Sequence, residues 1–379
     1  MFDPDEIQAI VLDNGSFEIR TGFAGDDEPR IVTSSVIGEK LNQYDSYNSS
    51  STSSKTEYIG NEAQTNREIL NLNYPIQRGI IEDWDNMEKI WNDIFANQIK
   101  INPNQHPILM INPPFNPKSH REKTIQIMFE TFDIPAFYIA NSGKLSLYSS
   151  GRGSGIIVDI GHGVTHTQPI YEGYEIPNAI DRYDISGFDL TNFLIKLLEE
   201  RGYSFTTSNE IEMAREIKEK LCYCSINYEE EIKQNQNQFN LEKEYELKNG
   251  DIISISEERI KCCEGLFQPR LMGIDLEGIH KIIYNSIMEC DVDARRDFIG
   301  NIILSGGSTF FPNFTDRLLN ELKALFPQQA RVKLVVPPER KYSPWIGGSI
   351  LASLSTFHGM WISKEEYDEV GPNIIDQKC

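Results

Sequence analysis

Two stretches of this chain share one layout, and that repeat limits its fold more than any other feature. IVLDNGSFEIRTGF (10–23) and IIVDIGHGVTHTQP (156–169) each run an apolar strand into an Asp, then one residue, a Gly, and a return strand containing Thr. A turn of this kind frees backbone N–H groups to face an anion. Two copies suggest two related lobes, each offering a backbone turn and one carboxylate, Asp13 and Asp159, to a shared cleft. A phosphate with a divalent cation suits such a cleft, because amides meet the oxygens and the two acids hold the hydrated metal. Two unrelated hairpins, with Asp and Gly present only as turn formers, are the alternative. A third Gly-rich turn, LSGGSTFF (304–311), also follows an apolar run, so backbone could approach a base or ribose there too.

Around these turns, strands and helices alternate. IQAIVLD (7–13) and GIIVDI (155–160) are short, nearly all-apolar runs of the kind buried in an α/β core. Ile211, Ala214, Ile217 and Leu221 fall at helical spacing within a charged segment and predict an amphipathic helix. Ser343 and Pro344 read as the N-cap and first-turn proline of a helix carrying Ile350, Leu351 and Leu354. The class is therefore α/β or α+β. Two low-complexity stretches, NQYDSYNSSSTSS (42–54) and QNQNQFN (234–240), cannot supply a core face and read as exposed loops.

Composition excludes several roles. The 379 residues suffice for about two to three domain-sized units. With 57 acidic against 36 basic residues the formal charge is -21, a field that repels nucleic acid and anionic lipid. MFDPDE does not read as a signal peptide, and no apolar run reaches the length of about 18 residues that predicts a bilayer span. The six cysteines lack paired CxxC spacing and a His cluster, so reduced structural thiols in a cytosolic protein are expected.

Beyond these patterns the chain resembles actins, over nearly everything from about Glu6 to Cys379. The resemblance is carried by GFAGDDEPR (22–30), NPKSHREKTIQIMFETFDIPA (116–136), GVTHTQPIYEGY (163–174), RGYSFTT (201–207), IKEKLCY (217–223) and PPERKYSPWIGGSILASLSTF (337–357). It implies an α/β, two-lobed, duplicated ribonuclease H-like fold with four subdomains around a nucleotide cleft. The implied divisions are 1–34, 75–149 and 343–379 for the first inner subdomain and 35–74 for the small outer one. Residues 150–185 and 275–342 would form the second inner subdomain, and 186–274 the second outer one.

The resemblance also implies ATP or ADP with Mg2+ or Ca2+. Asp13, Asn14, Gly15, Ser16 and Arg20 would form the first phosphate hairpin, and Asp159, Gly161 and Gly163 the second, with Asp13 and Asp159 holding the metal through water. Arg215, Lys218 and Glu219 would reach ribose and base, Gly306 and Gly307 would pass close to the nucleotide, and Lys341 would lie by the adenine. Without the resemblance, Lys218 and Glu219 read as a solvated helix face.

Departures from the family pattern bear on chemistry. Phe17 replaces a second Gly, adding about 1 to 2 kcal/mol if the turn needs a left-handed backbone. Arg20 replaces a Lys, a planar fork for a point charge, and weakened nucleotide binding follows. Ser142 replaces a glutamine that positions the attacking water, between the atypical Asn141 and Lys144. His162 replaces an Asp linked to the cation's water shell. Losing such groups typically costs about 10² to 10⁴ in rate. Either His162 serves as a base or it sits as a neutral side chain in a relaxed site. His166 matches the family at the phosphate end.

Partner surfaces differ as well. The 42–54 loop is longer than its counterpart and polar apart from two tyrosines, which weakens contact between successive subunits. Leu271, Met272 and Ile274 retain an apolar loop, with core packing as the alternative. Asp26 and Asp27 keep an acidic patch, whereas Asn104 and Gln105 replace an acidic pair used by motors. The expectation is an actin-like cytoskeletal protein of the cytoplasm with impaired hydrolysis. Its partners would be conventional actin or actin-binding proteins, with self-association open and no nucleic acid or membrane insertion. A nucleotide-free actin-fold scaffold is the alternative; a small-molecule kinase or chaperone ATPase shares the two-lobed plan but does not call for PPERKYSPWIGG.

Overall fold

A computed structural model describes residues 7–41, 55–238, 241–247 and 250–379. The expected polar loop at 42–54 lies outside them. The chain divides into two compact units, Met1–Gly153 with Pro337–Cys379, and Ser154–Val336.

In the first unit a mixed sheet runs in the order Ile362–Ser363, Ala136–Asn141, Ile108–Asn112, Ile10–Asn14, Glu18–Phe23, Ile31–Ser34. Ile10–Asn14 pairs in parallel with Ile108–Asn112 and antiparallel with Glu18–Phe23. Its apolar run is continuous because both faces are covered. Ile10 and Leu12 pack with Trp91, Phe95 and Met128, while Val11 joins Trp345 and Leu145. Trp345 Nε1 also donates to the Val11 carbonyl at 3.1 Å. The helix Ser343–Ala352 lies against the helix Ser142–Ser149 so closely that a Cβ at Gly347 would stand 1.9 Å from the Leu145 carbonyl oxygen.

The second unit repeats the plan. Gly155–Ile160 pairs in parallel with Ile302–Ser305 and antiparallel with Thr165–Tyr171. In both units the strand parallel to the hairpin is itself joined by a further parallel strand, Ala136–Asn141 in one and Leu334–Val335 in the other. This shared topology favours related lobes over unrelated hairpins. Ile156, Val158, Ile160, Ile302 and Leu304 share a core with Ile283, Phe298 and Leu318 of the helices Ile279–Glu289, Val292–Gly300 and Phe314–Leu325.

The expected amphipathic helix spans Ser208–Leu221, opened by a capping box in which Thr207 and Glu210 exchange hydrogen bonds. It buries Ala214 and Ile217, with Ile211 and Leu221 partly covered.

Two local expectations change. Residues 234–238 are not loop: they complete the helix Tyr228–Gln238. Gln is a good helix former, and Glu229, Glu230 and Glu231 favour the positive end of the helix dipole. Ser343 is the first helical residue and Tyr342 the N-cap, whose carbonyl accepts from Ile346 N–H at 2.9 Å. The Ser343 hydroxyl is buried and makes no capping bond.

All six cysteines are free thiols, five of them buried. No helix among the described residues is long and apolar enough to cross a membrane.

Candidate functional site

The two hairpins close in the same way. Gly15 N–H donates to the Glu18 carbonyl at 3.1 Å, and Gly161 N–H to the Val164 carbonyl at 3.0 Å, each a bond from the glycine to the residue three further on. The acid two residues before each glycine pairs across the ladder, Asp13 with Arg20 and Asp159 with His166. Between the closing residues lie Ser16 and Phe17 in one turn, His162 and Gly163 in the other. The backbone N–H groups of Ser16 and Gly163 have no partner among the described residues, so each turn leaves one donor of the kind an anion accepts from. Gly15 is obligatory, because a Cβ there would lie 2.5 Å from the Glu18 carbonyl oxygen. Phe17 has no positive φ, so the left-handed strain expected at this residue does not arise. Its ring stacks on Tyr74 at 6.5 Å.

The first hairpin carries a charge network. Arg20 Nη1 donates to Asp13 Oδ2 at 2.8 Å, and Nη2 reaches Glu18 Oε2 at 3.4 Å. Glu18 also receives Lys341 Nζ at 2.8 Å. Arg20 and Lys341 both lie near the Tyr342 ring, at 5.6 and 5.7 Å. Burial works against the charge on Arg20, but the carboxylates of Asp13 and Glu18 outweigh it and raise its pKa. Ser16 Oγ accepts from Gly79 N–H at 2.9 Å. Asn14 turns inward, accepting from Trp91 Nε1 at 3.2 Å and donating to Met110 Sδ at 3.1 Å. Its side chain therefore anchors the hairpin to the core.

In the second unit the hairpin is braced by two neighbouring segments. The Gly161 carbonyl accepts from Gly187 N–H at 3.0 Å and from Ser308 Oγ at 3.1 Å, and the His162 carbonyl from Phe188 N–H at 2.8 Å. Gly306, with φ of 88°, passes so close to Asp159 that a Cβ would lie 2.4 Å from its Oδ1. Gly307 has open space around it.

Lys218 is not on a solvated face. It is 3 % exposed and donates to the Gly187 carbonyl at 2.5 Å and to Thr191 Oγ1 at 2.8 Å, and burial lowers its pKa. Glu219 is exposed and pairs with Arg215, which also holds the buried Glu212 at 2.8 Å. Burial opposes the Arg215 charge, and the two acids outweigh it.

His162 sits edge-on to Phe188 at 6.0 Å between ring centres. Burial, reinforced by Lys218 and Arg215, pushes its pKa down to about 3. An imidazole held neutral in this way is a weak base, which favours the neutral reading of this position. His166 is likewise pushed down to about 3, by burial and then by Arg182, with Nε2 3.9 Å from Asp159 Oδ2. Ser142 is buried at the first turn of the helix Ser142–Ser149, which Asn141 caps by accepting from Gly143 N–H at 2.9 Å. Asn141 thus has a local structural task.

In the loop expected to meet partners, Leu271 is exposed, whereas Met272 and Ile274 pack on the core of the second unit. Asp26 is bound by Arg30 at 2.7 Å, which lowers its pKa and leaves Asp27 as the freer acid.

Among the described residues no group of three or more His, Cys, Asp or Glu side chains is set to hold a metal directly. Within each unit the turn amide, that of Ser16 in one and Gly163 in the other, is of the kind that donates to a phosphate oxygen. Sequence reasoning missed Glu18, Tyr342, Gly187, Thr191 and Ser308, whose roles depend on contacts distant in sequence. A model of the family described as Actin matches residues 4–379.

Proposed function

The chain belongs to the actin family, and from that premise we propose an actin-like cytoskeletal protein of the cytoplasm. It binds ATP or ADP with Mg2+ or Ca2+ at reduced affinity, hydrolyses it poorly or not at all, and joins or modulates filaments of conventional actin. One observation carries the nucleotide reading: two hairpins at equivalent sheet positions, closed by the same glycine bond, each led by a carboxylate. Bound nucleotide with its cation would supply the phosphoanhydride bond and the charge that orders its water shell.

This chain's own residues bind and orient. The turns at Gly15 and at Gly161 and Gly163 present amides to phosphate. Asp13 and Asp159 orient the cation's water. Arg215, Lys218 and Glu219 serve ribose and base, Gly306 and Gly307 allow close approach, and Lys341 flanks the adenine. Neither Ser142 nor the neutral His162 replaces the groups that position and deprotonate an attacking water, so turnover falls by about 10² or more.

A second reading, a nucleotide-free scaffold, is favoured by the prior neutralisation of the site cations. Arg20 already holds Asp13 and Glu18, and Lys341 already holds Glu18. Co-pelleting with and without conventional actin, with the nucleotide content of the chain measured before mixing, separates the two. Pelleting only with actin, by a chain that carries nucleotide when assayed alone before mixing, supports the proposal; the same pelleting by a chain that carries none before mixing supports the scaffold.

A further inference from the structure

We propose that Glu18 is an internal counter-anion that sets nucleotide affinity and selects against the more highly charged phosphate tail. The inference rests on the nucleotide-binding reading above and assigns its control to one residue.

Glu18 opens the return strand of the first hairpin, and its carbonyl closes the turn by accepting from Gly15 N–H. The backbone is pinned again by pairing of Glu18 with Ser34 on the neighbouring strand. From this fixed base the carboxylate reaches both cations of the half-site, Arg20 at 3.4 Å and Lys341 at 2.8 Å. The Glu18 side chain is 18 % exposed, the Arg20 side chain 14 %, so water screens their pairing only in part.

With Asp13 included, two acids face two bases, and the cluster is neutral without any ligand. A phosphate drawn to Arg20 meets a carboxylate already in place on a backbone held by the turn and by the neighbouring strand. Its cost has two parts, competition for the cations and direct repulsion by Glu18, and the second grows with the charge on the tail. Tri- and diphosphate should therefore be affected unequally. Asp13 cannot serve as this device, because its carboxylate is the one expected to face the cation.

The test is calorimetric titration of Mg-ATP and Mg-ADP into the full chain freed of nucleotide, comparing wild type with Glu18→Gln, which keeps the shape and removes the charge. The expected result is about tenfold tighter Mg-ATP binding in the variant, with a smaller gain for Mg-ADP. Binding by the variant equal to or weaker than wild type overturns the role of Glu18 and leaves nucleotide binding standing. Binding by the variant alone supports Glu18 and removes the claim that the natural chain holds nucleotide. No binding by either protein overturns both. Glu18→Ala is the second variant, and failure of both variants to fold would place Glu18 in the architecture and overturn the proposal.

Discussion

Arg20 Nη1 donates to Asp13 Oδ2 across 2.8 Å from directly paired positions on neighbouring strands. Both residues belong to the first hairpin, so part of the charge that would meet a phosphate is already spent inside the turn. The pair is also structural, since Arg20 separates Asp13 from Glu18. Arg20→Met would leave two acids facing each other in a mostly buried cluster. Urea denaturation should show a loss of about 3 kcal/mol; an unchanged midpoint would mean that the pair is solvated.

Gly306 tests whether Asp159 needs its position. A side chain at a φ of 88° is strained, and its Cβ would meet Asp159 Oδ1. Gly306→Ala should lower stability by about 2 kcal/mol and weaken nucleotide binding by more than that loss of folded protein explains. Calorimetry on the folded fraction checks this, and normal affinity would separate Asp159 from the site.

Gly347 tests the packing behind the first hairpin. Gly347→Ala would drive a methyl group into the Leu145 carbonyl, whereas Gly153→Ala would meet nothing within 4 Å. The first should cost about 3 kcal/mol or more and the second under about 0.5 kcal/mol. Paired thermal melts decide it, and equal melting temperatures would contradict the close helix contact.

His162 gives a dependence on pH with a defined sign. Its pKa falls from the ordinary 6.5 to about 3 on folding, so between these values the unfolded chain binds the extra proton. The contribution of this residue is whole above pH 6.5 and is lost progressively as pH falls toward 3, at about 1.4 kcal/mol per pH unit. Urea midpoints at pH 7, 6 and 5 should fall less steeply in His162→Asn than in wild type. Equal slopes would show that folding does not lower the His162 pKa.

The repeated hairpins were legible because their signal is local: a strand ends, a glycine turns, and the strand returns. The helix Ser208–Leu221 was legible for the same reason, through spacing and a capping box. Lys218 was not, since a Lys in a charged segment reads as surface until the carbonyl of Gly187, far away in sequence, is seen to receive it. Glu18 was hidden in the same way, its partner Lys341 lying near the other end of the chain. The ring of Phe17 could be placed only against Tyr74. Asn14 looked like a ligand residue beside Asp13, and only the fold shows its amide committed to Trp91 and Met110.

The central claim is a member of the actin family that holds nucleotide without efficiently cleaving it. Phosphate release from the full chain loaded with one equivalent of Mg-ATP, followed in the presence of conventional actin filaments, tests this directly. The account predicts that ATP remains bound and intact over many turnover times of the filament actin. Release of one phosphate per bound nucleotide at the rate of conventional actin would contradict it.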